Sequence, residues 1–180
     1  MNCVILGPSQ FNKIKLFGKI NDVLAYIDEA AEFFANNFEE ILIVPDTGLS
    51  LLVAKKYKQK KPEGKIIGYV PDITKGGKSL DEYYKFCDEI KGIGGGWHNL
   101  NTQLTRKSEY VFCLGFSAGV LIELCSVKYN QQYLNLKTKI FIDERCISSK
   151  LPKEVCVDLK NLNYFKNFIS LEEKFKKHGL

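Results

Sequence analysis

Three short stretches carry residue types that could hold a ligand or react with one. They are Gly7-Pro8-Ser9, Pro45-Asp46-Thr47-Gly48 and Gly115-Phe116-Ser117-Ala118-Gly119. Each follows an apolar run and precedes a segment with helical periodicity. The third says most. Small residues there let a ligand approach the backbone, and a helix opening at Ser117 would present unpaired N–H groups that attract an anion. Gly119 leaves room, Ser117 adds a hydroxyl, and Glu123 lies one turn further on with a carboxylate. The same letters spell G-x-S-x-G, the nucleophile elbow of serine hydrolases, with Asp143 and His178 following in the order of a triad. Too little chain follows Ser117 for the further strand–helix units that such a triad needs. The anion cradle is therefore the first reading and the nucleophile the second.

Other signals carry less. Gly77-Lys78-Ser79 ends like a P-loop, but Asp72 stands where that motif needs its first glycine, so a surface loop is expected. Gly94-Gly95-Gly96-Trp97-His98 leads toward a helix, and Trp97 is suited either to stacking on a base or to a core or dimer contact. The six cysteines form no C-x-x-C pair, and the only imidazoles are His98 and His178. No metal site and no cofactor is predicted, and the thiols are expected to be reduced. The net charge of +5 comes from lysines on presumed outer faces, such as Lys55-Lys56 and Lys60-Lys61, and only Arg106 and Arg145 are arginines. That reads as a solvated surface, and no nucleic-acid partner is predicted. No apolar run reaches the ~18–20 residues of a membrane span, and no signal peptide is read at the start. The expectation is a cytoplasmic protein without a membrane partner.

The elements that must position these residues follow from the periodicity. Strands are predicted at 2–6, 40–45, 65–70, 88–93, 109–114 and 137–142, with a weaker one at 164–169. Helices are predicted at 22–36, 48–59, 80–87, 98–107, 117–130 and 171–177, with Asn21 or Asp22 capping the first and Ser117 the fifth. Strands alternating with amphipathic helices give an α/β fold of three layers: a doubly wound, mainly parallel, Rossmann-like sheet in a single domain over 1–180. Ligands in such sheets bind beyond the carboxyl ends of the strands, where the winding reverses. If the first strand lies beside the one ending at Leu114, the Gly7 and Gly115 loops face each other and the Gly48 loop flanks them.

At this level the chain resembles the Lonely guy-like, or lysine-decarboxylase-like, branch of Rossmann proteins, within a wider nucleotide-binding group that includes the DNA-processing protein A fold. Gly7-Pro8-Ser9 stands for that family's G-S-S. Gly48, Leu49, Val53 and Ala54 keep the spacing of G-G-G-x-x-G-L-M-G-x-V-A, while Ile43, Val44 and Pro45 replace the triple glycine. Gly115 through Glu123 resembles P-G-G-x-G-T-x-x-E, with Gly119 and Glu123 matching. The resemblance implies dimers and binding of a nucleotide or other phosphorylated small molecule. Together with the loops at the strand ends, it points to ligand contacts from Gly7, Pro8, Ser9, Gly48, His98, Gly115, Phe116, Ser117, Ala118 and Gly119. Family hydrolases cleave the N-glycosidic bond of nucleoside 5′-monophosphates with the Glu of the last motif, here Glu123, and an Arg of an upstream M-H-x-R-K segment. His98 matches the His, but Leu100 and Asn101 occupy the Arg-Lys positions. Binding is thus the expected function. The alternative is a hydrolase, either a phosphoribohydrolase using Glu123 or a serine hydrolase using Ser117.

Overall fold

The computed structural model describes residues 1–10, 20–72 and 84–178. Seven strands form one sheet: β1 (Asn2–Leu6), β2 (Glu40–Ile43), β3 (Lys65–Pro71), β4 (Glu89–Ile93), β5 (Tyr110–Cys113), β6 (Lys139–Asp143) and β7 (Leu162–Phe165). The helices are α1 (Val23–Asn37), α2 (Leu49–Lys60), α3 (Gly96–Gln103), α4 (Ala118–Tyr133), α5 (Lys153–Asp158) and α6 (Phe168–His178). The strand order is β4-β3-β2-β1-β5-β6-β7, and every pairing is parallel. The chain winds outward from β1 to β4, then returns to place β5 on the other side of β1. The register pairs Val4 with Val111 and Leu6 with Cys113, so Gly7 and Gly115 leave the sheet at the same edge, on adjacent strands.

Period two along the strands divides the core. Cys3, Ile5, Ile41, Ile43, Tyr110, Phe112 and Phe141 face one layer, with α1, α2 and α6. Val4, Leu6, Leu42, Ile67, Val111, Cys113 and Ile140 face the other, with α3 and α4. Both faces are apolar because both are covered, as a parallel sheet requires. Phe112 sits within a ring cluster, with centroids 5.6 Å from Phe33, 5.1 Å from Phe34, 5.6 Å from Phe38 and 5.1 Å from Phe141. Arg145 clamps that layer. It donates to Glu29 on α1 at 2.8 Å and to the buried Asp143 at 2.9 Å, and Glu29 accepts the Phe168 amide of α6 at 3.1 Å. Asp22 caps α1 by accepting from the Leu24 and Ala25 amides at 3.0 and 3.1 Å.

The structure departs from the periodicity in the C-terminal third. Helix α5 buries none of its residues, so it leaves no apolar repeat to read. The last strand is Leu162–Phe165, ending before 169, because Phe168 already starts α6 and enters the core. The helix expected at 98–107 begins earlier, behind Gly95 at φ +89°, and tightens into a 3-10 turn at Leu104–Arg106. Gly77-Lys78-Ser79 and most of the helix expected at 80–87 lie outside the described residues. No helix among the described residues is long and apolar enough to cross a membrane. Replacing Phe112 with Ala should cost about 3–5 kcal/mol, measured by urea denaturation. A loss below about 1 kcal/mol would show that the ring cluster contributes little.

Candidate functional site

The three glycine-bearing loops meet around Pro8. A Cβ on Gly48 would lie 2.5 Å from the Pro8 carbonyl oxygen, and one on Gly115 would lie 3.2 Å from Pro8 Cδ. Gly115 also adopts φ +120°, a conformation closed to most L-residues. The Leu49 amide donates to the Pro8 carbonyl at 3.3 Å, and the Thr47 hydroxyl donates to the Ser9 carbonyl at 3.0 Å. Pro8, Gly48 and Gly115 therefore shape the site from behind, and neither they nor Phe116 line the cavity. The ligand contacts expected of Pro8, Gly48 and Gly115 are replaced by a packing role, since these residues are the joints that let the loops close up.

In front of them lies a cavity of about 420 Å3. Gly7 and Ser9 line it from the β1 loop, Asp46 from the β2–α2 connection, Ser50 from the first turn of α2, and Ser117, Ala118, Gly119 and Glu123 from the N-cap and first turns of α4. Trp97 and Asn101, one turn apart on α3, close its side. Ser117 is the N-cap of α4, its Oγ accepting from the Val120 amide at 3.3 Å. The amides of Ala118 and Gly119 belong to the helical turn that has no internal acceptor. A Cβ on Gly119 would meet nothing nearer than 3.9 Å, so its face is open to a ligand. Trp97 is 44% exposed and free to cover a flat ring. His98, the next residue, is exposed and not part of the wall, because on a helix Trp97 and Asn101 share a face that His98 does not.

Glu123 is the electrostatic centre of the cavity. It is 6% exposed, and no hydrogen bond or ion pair reaches its carboxyl among the described residues. Burial, reinforced by the negative charge of Asp46, pushes its pKa up to about 8. Asp46 is also raised by burial, although its Oδ1 accepts from the Gly48 amide at 2.8 Å. The shift favours the protonated form of Glu123, which can donate a hydrogen bond. Asp143 is engaged elsewhere than with Ser117. Asp143 is fully buried, and its oxygens accept from Arg145 and from the Tyr26 hydroxyl at 3.1 Å. The Ser117 hydroxyl oxygen is committed to capping.

Solved structures have the same architecture. The molybdenum cofactor carrier protein MCP from Chlamydomonas reinhardtii superposes with a TM-score of 0.67 at 14% identity, covering 98% of this chain and 96% of that one. The structural-genomics target TM1055 gives 0.61 at 13% identity, covering 96% and 98%. The chain has their fold. No family model and no curated protein matches it by sequence. At such identities the backbone is what is shared, and the site rests on this chain's own residues.

The raised pKa of Glu123 contributes to the pH dependence of stability. The folded state keeps a proton that the unfolded chain loses above about 4.5, so stability should fall from about pH 4.5 to about pH 8. In metal-free buffer, the unfolding free energy of Glu123→Gln should decline less across that window, by a few kcal/mol. Parallel profiles for the two proteins would show that the carboxyl is ionised and solvated throughout.

Proposed function

We propose that the cavity binds a phosphorylated small molecule of the nucleotide type. The observation that carries this reading is the first turn of α4, whose Ala118 and Gly119 amides open onto the reversal point of the sheet with no side chain on Gly119 in the way. The positive end of the helix dipole favours an oxyanion there, and the Ser117 hydroxyl proton is available to donate. Trp97 suits a planar ring, and a cavity of about 420 Å3 suits a small ligand. The resemblance to the Lonely guy-like family supports the same ligand class. So does the shared backbone with a protein described as a cofactor carrier, which favours binding over turnover.

Hydrolysis of an N-glycosidic bond is the second reading, favoured by one observation. A buried carboxyl with pKa about 8 is suited to proton donation. Against it, no Lys, Arg or His lines the cavity among the described residues, and Asn101 stands on the wall where the family pattern carries a cation. Gly119→Asp would place bulk and charge against the bound anion. Calorimetry with a panel of nucleoside monophosphates should show at least a tenfold weaker binding for that variant. Equal affinity in the two proteins would reduce the loop to a simple turn.

The outer face of α4 supports a homodimer. Leu121, Ile122, Cys125, Tyr129 and Tyr133 form an exposed stripe along the helix, with Tyr129 and Tyr133 stacked at 6.2 Å. A second copy is the occupant that the family resemblance implies. Light scattering should give a dimer for the wild type and a monomer for Ile122→Glu combined with Tyr129→Glu. A wild-type monomer at tens of micromolar would end this part of the reading.

A further inference from the structure

A second cavity, of about 440 Å3, opens at the other end of the sheet, where the parallel strands begin. Arg106 reaches it from the turn before β5, Lys137 and Thr138 from the loop between α4 and β6, and Asn2 from the start of β1. Thr138 is 1% exposed, and its buried hydroxyl has no hydrogen-bond partner among the described residues. Such a group costs stability unless something outside the chain pairs with it. Arg106 is held in place from within. Its Nε donates to Asn130 Oδ1 at 2.7 Å. The Asn130 amide donates to Thr105 Oγ1 at 3.0 Å, that hydroxyl stands 3.1 Å from Ser126 Oγ, and Ser126 donates to the Glu123 carbonyl at 2.7 Å. Asn130, Thr105 and Ser126 are all buried. Ser126 uses its one proton on the carbonyl, so Thr105 donates to Ser126 and accepts from Asn130. The chain thus runs in one direction, and its outer end, Asn130 Oδ1, takes a donor. Arg106 supplies that donor with Nε, and its two terminal nitrogens donate to nothing among the described residues.

We propose that this cavity is a second ligand site, for a phosphate-type oxyanion. The Arg106 guanidinium, locked at Nε, presents its free N–H groups to a pair of oxygens. Lys137, which forms no ion pair among the described residues, adds a second positive charge from the facing loop. The Thr138 hydroxyl gains the acceptor that it lacks. Charge on the wall favours the anion. Glu109 is the only acid there among the described residues, and it faces Lys139 at 3.6 Å. Lys107 keeps its ammonium 5.9 Å from the Tyr69 ring, so the fork of Arg106 and the ammonium of Lys137 carry the site. Donors from three residues suit a tetrahedral anion with three or more oxygens better than a planar carboxylate with two. The site is independent of the reading given to the first cavity. The two lie at opposite ends of the strands and share no lining residue.

Titration of the isotope-labelled full chain with inorganic phosphate at constant ionic strength, followed by its amide NMR signals, tests this. The signals of Lys107, Ser108, Lys137 and Thr138 should move and saturate. Arg106→Gln removes the fork. Lys137→Glu reverses the second charge at an exposed position outside the buried chain. Each should weaken the saturating response by about tenfold or more. Thr138→Val keeps the side chain's shape, loses the hydroxyl and should weaken binding severalfold. Acetate should bind about tenfold more weakly than phosphate, and equal affinity would overturn the assignment to a phosphate-type anion. A linear response without saturation, or a saturation that both charge variants leave unchanged, overturns the site. Saturation confined to the Ala118 and Gly119 signals overturns it as well, and leaves the reading of the first cavity standing.

Discussion

Three loops can crowd around one small space only because two glycines let them touch Pro8. Gly48 brings its α-carbon against the Pro8 carbonyl, and Gly115 turns through a left-handed conformation against the Pro8 ring. A methyl group at Gly48 would collide with backbone, which cannot move aside as a flexible side chain can. The rigidity of the proline ring sets how closely β1 and β5 release their loops, and so the width of the cavity. The glycines matter here through packing, and the cavity in front of them is a by-product of that close fit.

Within that space the fold and the site pull in opposite directions. Burying Glu123 without a partner costs stability at neutral pH, and Asp46 makes the cost larger. A buried Leu at the position of Glu123 would suit the layer formed by Val120, Leu124 and Val127 better. Retaining an acid there makes sense when something in the cavity uses it. The core on the opposite layer shows no such conflict. There the buried Asp143 is paired with the partly exposed Arg145, which also bonds Glu29, by direct hydrogen bonds.

Much of the architecture was legible because parallel strands covered on both faces are short apolar runs, and their order alternates with helices. Six of the predicted strands lie within two residues of the observed bounds, and the adjacency of β1 and β5 follows from the reversal of winding. The seventh strand is placed late by the sequence, at 164–169 against 162–165, since it is half exposed, and α5 leaves no signal because none of its residues is fully buried. In the site, Ser117, Gly119 and Glu123 could be read from local sequence, as could Gly7 and Ser9. Asp46 is hard to read as a wall residue, because an Asp two residues before a glycine commonly serves the turn itself, as its bond from the Gly48 amide shows. Trp97 and Asn101 were separated from His98 only by the helical phase of α3, which depends on where Gly95 starts the helix. The glycines of the site divide into lining and packing roles only when the third dimension places Pro8 between them.

The strand order also has a consequence for synthesis. Among the described strands β1 comes first in the chain, yet it lies at the centre of the sheet, and β5 is its neighbour on one side. Until β5 has left the ribosome, β1 presents an open hydrogen-bonding edge and an apolar flank. Pairing of such distant segments is slow, since a long loop must close before any contact rewards it. The cavity lies across that same seam, so its two walls come together only when the late half of the chain docks on the early half. Ligand capture is thereby a late event in the life of a nascent molecule, and a ligand present at that moment would favour the docked form over the open one.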